Sequence, residues 1–144
     1  MSRIFFIVCF VLIQTTVFAD DDKPITVDRL PQKSQQFIEK HFTGLKVAYA
    51  KMENEIFGKS YEIVFTDGSK VEFDKKGEWT DVDCKFGQVP VNIIPQGILD
   101  YVTANHKGTK VVDIDRDSRD YELKLDNGIE LKFDLKFNLI GYDH

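Results

Sequence analysis

Two kinds of hydrophobic periodicity alternate along this chain, and the alternation happens twice. Phe37, Ile38, His41 and Phe42 recur at helical spacing after Leu30-Pro31, which predicts a helix opening at a proline that forfeits no backbone bond there. Gly44 follows as a left-handed stop. The pattern then changes to period two. Tyr61, Ile63 and Phe65, an Asp67-Gly68 turn, then Val71 and Phe73 predict a hairpin. Downstream, Pro95, Ile98, Tyr101, Val102 and Gly108 restate the helix. Tyr121, Leu123 and Leu125 next share a face opposite Glu122, Lys124 and Asp126; Asn127-Gly128 turns the chain, and Ile129, Leu131, Phe133, Leu135 and Phe137 resume the apolar face. Further strands are predicted before each hairpin, over 46–52 and 110–115, and after it, over 78–86 and 139–142.

The two stretches also match residue by residue. Pro31-Gln32 aligns with Pro95-Gln96, Gly44 with Gly108 and Lys46-Val47 with Lys110-Val111, at an offset of 64. Tyr61-Glu62 aligns with Tyr121-Glu122, Gly68 with Gly128 and Phe73-Asp74 with Phe133-Asp134, at an offset of 60. Such a duplication predicts two similar modules side by side and an extended composite surface. The expected fold is α+β: two tandem helix-plus-four-stranded antiparallel meander repeats, residues 30–86 and 94–144, joined by a linker over 87–93. They form a continuous or adjacent sheet with helices on one face and water on the other.

The N-terminus changes where that fold sits. Arg3, a ten-residue apolar core over 4–13, and small residues at Val17 and Ala19 predict a signal peptide over 1–19, too short to span a bilayer. Cys9 lies within the apolar core and not at its end, so lipidation is not expected. A polar leader over 20–29, expected to be mobile, would then open a mature protein that is periplasmic or secreted, without stable membrane insertion. Cleavage after Ala19 leaves Cys84 as the one cysteine, so no internal disulfide is available and the core alone must hold the fold. The formal net charge of −5 is built from interleaved acids and bases with no basic stripe, which disfavours nucleic acid as a partner.

Catalytic signatures are not found, and no enzyme is expected. The histidines stand apart from any nucleophile or metal-ligand spacing, and Cys84 reads as a buried structural thiol. Asp113-Ile114-Asp115-Arg116-Asp117 imitates the start of a calcium loop, but Ser118 stands where the loop needs glycine and Lys124 where it needs a bidentate glutamate. Metal and cofactor are accordingly expected to be none, and the catalytic set none. Tyr49 alternates with Ala48 and Ala50 and corresponds to Asp113 of the second copy, which places it on the wet face of the sheet. Trp79 shares a strand face with Asp81, Asp83 and Lys85 unless a bulge turns it back into the core. Large amphipathic rings on a polar face are contact anchors.

The runs Leu30-Pro31-Gln32, Gln36-Phe37-Ile38-Glu39-Lys40-His41-Phe42, Tyr61-Glu62-Ile63, Asp67-Gly68, Glu72-Phe73-Asp74-Lys75-Lys76-Gly77-Glu78-Trp79 and Val89-Pro90 resemble the beta-lactamase-inhibitor-like, PepSY-like family. So do Ile94-Pro95, Tyr121-Glu122-Leu123-Lys124-Leu125-Asp126-Asn127-Gly128 and the leader Asp21-Asp22-Lys23-Pro24-Ile25. The resemblance implies a secreted periplasmic protein similar in fold to beta-lactamase inhibitor protein, whose sheets form one concave surface that grips an enzyme. It supplies no catalytic residues. Leu139 in the second copy stands where the first has Trp79, so the halves of any concave face are not equivalent. The expected function is a non-enzymatic module that binds a protein or peptide of the cell envelope, an envelope-enzyme inhibitor being one version. Its candidate surface is the concave sheet face bearing Tyr49, Trp79, Asp81, Asp83, Asp113 and Asp115. The alternative, motivated by the same acids, is a small-ligand or metal-ion sensor or carrier.

Overall fold

The computed structural model describes residues 22–143; the signal peptide expected over 1–19 lies outside them. The chain is a mixed α+β protein: one nine-stranded antiparallel sheet with two helices. In chain order the elements are β1 (Asp22–Ile25), α1 (Gln32–His41), β2 (Val47–Glu55), β3 (Gly58–Phe65), β4 (Lys70–Phe73), β5 (Trp79–Asp83), α2 (Gln96–Asn105), β6 (Val111–Arg116), β7 (Asp120–Leu125), β8 (Glu130–Asp134) and β9 (Leu139–Asp143). The strands lie side by side in that same order, each antiparallel to the next. The β5–β6 pairing joins the strands before α2 to those after it in a single sheet.

Both helices cover one face, and the register shows why. Ile25, Ala50, Ile63, Val71, Val82, Ile114, Leu123, Leu131 and Tyr142 stand opposite one another in a row across all nine strands. The middle seven of these are buried. Phe73 and Phe133, both fully buried, meet the helices edge-on: Phe37 of α1 lies 5.7 Å from Phe73, and Tyr101 of α2 lies 5.4 Å from Phe133. Ile98 and Val102 complete the apolar stripe of α2. Pro31 and Pro95 start the helices by offering their carbonyls to Ser34, Gln35, Ile98 and Leu99. The next side chain along each strand points the other way, to a sheet face that neither helix covers.

Two expectations need correction. The leader is not a loose tail throughout, because Asp22–Ile25 pair with β2 as an edge strand and Lys51 reaches Asp22 at 3.0 Å. Trp79 does not stand on the open face. Phe73 pairs with Trp79 and Glu72 with Asp81, so Thr80 is the extra residue of a β-bulge. One inserted residue exchanges the faces of everything before it. Trp79 is 8% exposed and lies on the helix side, 6.5 Å from the Phe37 ring. The guanidinium of Arg116 caps its ring at 3.9 Å, and the Arg116 Nε donates to its backbone carbonyl at 2.8 Å.

Candidate functional site

The uncovered face is made of two rows of side chains that cross the strands. One row reads Lys51, Glu62, Glu72, Asp81, Asp115, Glu122 and Lys132, each directly opposite the next from β2 to β8. The other reads Tyr49, Val64, Lys70, Asp83, Asp113, Lys124 and Glu130. The second row mixes signs, with Lys70 and Lys124 on either side of the facing pair Asp83 and Asp113. The first does not. Five carboxylates stand consecutively in it, bracketed by a lysine at each end. Like charges directly opposite in a sheet are destabilising, so this row costs the fold something that a counter-charge or a bound proton recovers.

Local chemistry explains how the centre of the row is built. Asp81-Val82-Asp83 and Asp113-Ile114-Asp115 each turn a buried aliphatic inward and two carboxylates outward, and β5 and β6 pair so that Asp81 faces Asp115 and Asp83 faces Asp113. One oxygen from each of Asp81, Asp113 and Asp115 lies within 4.8 Å of the others. The lysines settle elsewhere. Lys51 is taken by Asp22, Glu53 and Glu62 at 3.0, 3.0 and 3.4 Å; Lys70 sits 3.6 Å from Glu62 and 3.5 Å from Glu72. Among the described residues no ion pair reaches Asp81, Asp113 or Asp115.

Asp81 Oδ1 and Asp113 Oδ1 are wholly withdrawn from solvent, and each lacks a hydrogen-bond donor when both groups are ionised. A buried acceptor without a donor is costly, and more so when it is charged. Burial raises the Asp81 carboxyl first, then its hydrogen bond to and repulsion from Asp113, pushing it up to about 8. Burial likewise raises Asp113. Asp115 is pushed up to about 6, by burial and then by Asp81, Glu122 and Glu72. Glu72 is raised by burial and Asp81. Two things satisfy such a pair: one proton shared between Asp81 and Asp113, or a cation held by the oxygens together.

Of the six residues proposed from sequence, the fold therefore brings three together. Asp83 is next to them, opposite Asp113, and accepts the Lys85 amide at 3.1 Å. Tyr49 is on the same face and 51% exposed, but three strand spacings from Asp83, roughly 14 Å. Trp79 is on the other face. Sequence reasoning missed Glu62, Glu72 and Glu122, and the lysines that bracket them. Their signal was present as polar positions opposite Ile63, Val71 and Leu123, but it becomes a row only once the register is known.

The fold and this face define a class of small α+β proteins with one sheet face covered by helices and the other open. The model of the family described as "Putative beta-lactamase-inhibitor-like, PepSY-like" matches residues 59–141, and the chain belongs to that family. Among solved structures it is similar to one from Bacteroides thetaiotaomicron described as a "putative calcium-regulated periplasmic protein", with 61% identity, a TM-score of 0.85, and 88% of this chain and 99% of that one covered. It is also similar to a "putative periplasmic protein" of the DUF2874 family from Bacteroides vulgatus, at 55% identity and TM-score 0.85, covering 88% and 99%. A third, a "putative periplasmic protein of unknown function" from the same species, has 41% identity and a TM-score of 0.81, covering 85% and 99%. No curated protein matches the chain. Like these neighbours, this is a periplasmic or secreted protein, and among the described residues no helix is long and apolar enough to cross a membrane. The family is inhibitor-like and is not one of known enzymes.

Proposed function

We propose that the chain is a non-enzymatic periplasmic binding protein whose open sheet face responds to a divalent cation of the calcium class. The observation that carries this reading is the Asp81–Asp113–Asp115 cluster, with two oxygens that are buried and without donors. Carboxylate oxygens alone, with no nitrogen or sulfur donor, suit a hard cation such as calcium better than zinc. The neighbour described as calcium-regulated supports the same ion. On this reading the two halves are copies of one helix-plus-four-strand unit, and the ion sits where the last strand of one copy meets the first of the next. The export signal read over 1–19 accords with that role.

The test is thermal melting of the mature chain in chelator and in calcium, magnesium or zinc. A ligand that binds only the folded state at a hundredfold excess over its dissociation constant adds about 2.7 kcal/mol of stability. Calcium is expected to raise the melting temperature of the wild type and to leave Asp113→Asn unmoved. No shift with any of the three ions would discard the cation reading.

A second reading, that the open face holds a protein or peptide of the envelope, is favoured by the exposed Tyr49 on that face and by the inhibitor-like family. The two readings are compatible, since a cation at the centre of the face would change what the face can hold.

A further inference from the structure

We propose that the groove between the short turn Val27–Arg29 and strands β1 to β3 is a binding site for an aromatic carboxylate. It lies on the helix side of the sheet, so it stands or falls independently of both readings of the open face. Tyr61 stands opposite Met52 on one side and Phe73 on the other, and Phe73 is the ring that α1 covers through Phe37. Met52 and Tyr61 lie further toward the β1 edge and are half-buried. With Ile25 they floor a groove of about 670 Å³, whose rim carries Arg29 and Lys59. Small-molecule sites fall in the range of roughly 300–1,000 Å³.

The second half of the sheet shows what the corresponding place holds when the chain fills it. There Tyr121 stands between Arg116 and Phe133. Phe137 lies 5.8 Å from the Tyr121 ring, and Arg116 covers Trp79 at 3.9 Å. In the first half Met52 stands where Arg116 does, and Gly77, four residues after Phe73, stands where Phe137 follows Phe133. The neighbouring strand offers Met52 a lysine, Lys23, where β5 offers Arg116 the indole of Trp79. Among the described residues no aromatic ring lies against Tyr61. The same framework is thus packed with rings in one half and an open groove in the other, which sets an aromatic ring as the shape that fits. The rim sets the charge. Arg29 and Lys59 are exposed, and among the described residues neither makes an ion pair, although the chain carries a formal net charge of −5. A guanidinium fork and an ammonium beside an apolar floor are complementary to a carboxylate attached to a ring.

The experiment titrates the mature chain with 3-phenylpropionate and follows amide chemical shifts by NMR at physiological salt. Saturable shifts are expected at 24–29, at Met52 and over 59–61. The amine with the same ring, 2-phenylethylamine, is expected not to saturate. Arg29→Gln/Lys59→Gln should weaken binding about tenfold, the scale of a lost charge-assisted contact. A control with the same loss of charge elsewhere, Lys107→Gln/Lys110→Gln, should change it less than about twofold, the scale of distant screened charges. Met52→Trp, which supplies a ring from the chain itself, should abolish saturation while the dispersed spectrum of a folded protein is kept; if that variant does not fold, the Arg29/Lys59 pair decides alone. A Gly-Gly-Phe tripeptide with a free carboxylate, titrated in parallel, tells the two sources of this chemistry apart, since the tighter binder shows whether the site takes a free acid or a polypeptide C-terminus. No saturable shifts with either carboxylate, equal binding of the amine, equal weakening by both double variants, or full binding by a folded Met52→Trp would each overturn the proposal.

Discussion

Single side chains divide this protein into a face that stabilises and a face that strains. Trp79 joins α1 to the β5–β6 seam through Phe37 and Arg116, so Trp79→Ala should cost about 3–5 kcal/mol in a denaturant titration. Tyr49→Ala, on the open face, should change stability by less than about 0.5 kcal/mol in the same assay. Asp81→Asn should behave in the opposite sense from an ordinary buried substitution. Above about pH 8, where Asp81 is ionised, it removes a charge from the cluster and gives Asp113 an amide donor, so the chelated protein should melt higher there while the calcium shift disappears. Lower stability in chelator would mean that the cluster already holds its charges comfortably. Phe137 shows strain of a different origin. It has φ 70 where the corresponding hairpin in the first half has Gly77 at φ 86. Its ring lies over Gly97, where an added Cβ would approach within 3.1 Å, and against Tyr121, with ring centroids 5.8 Å apart. In the first half the close approach is reversed, with Gly77 lying against Pro31 and Ser34 of α1. At Phe137 the packing contact holds an unfavourable backbone, whereas at Gly77 the positive φ is free of strain and the missing Cβ makes room for the helix start.

Among the elements, the helices, hairpins and apolar faces follow from local pattern. Phe73 and Phe133 occupy the same place in β4 and β8, each fully buried beneath a helical aromatic. Truncating either to alanine should cost about 3–5 kcal/mol, read from denaturation midpoints; a loss below about 1 kcal/mol at both would refute the face assignment. Strand alternation also identified the outward direction of Asp81, Asp83, Asp113 and Asp115. It failed at Trp79 because parity counted along β5 breaks at the Thr80 bulge, and a bulge leaves no mark in the hydrophobic pattern that an exposed tryptophan would not also leave. The cluster itself was hidden for a different reason. Its members come from strands on either side of α2, and only pairing of β5 with β6 makes them neighbours. The twin segments Asp81-Val82-Asp83 and Asp113-Ile114-Asp115 were the available clue, read as two separate wet strands until the seam between the halves was in place. Lateral order in a sheet is a non-local property, whereas alternation is a local one.

For the whole molecule, the acidic seam makes stability depend on pH in an unusual direction. Asp81, Asp113, Asp115 and Glu72 all have folded-state values raised by burial and by one another, and Lys70 partly offsets this for Asp81, Asp113 and Glu72. A raised carboxyl means that the folded state binds protons which the unfolded state has already released. The contribution is complete below the unfolded carboxylate range, near pH 4, and is lost as pH rises through about 6 for Asp115 and about 8 for Asp81. Acid denaturation driven by Asp117 and Asp134 works against this only at lower pH, because backbone donors hold those two carboxyls below their usual value. In chelator, therefore, the denaturation midpoint should fall between pH 5 and pH 8. Calcium requires ionised ligands, so its stabilising effect should grow over the same interval and flatten or reverse the slope. A chelated protein whose stability rises from pH 5 to pH 8 would show that the seam is neutralised by the chain itself. The cation would then have no vacancy in charge to fill, and the open face would need another explanation for its row of acids.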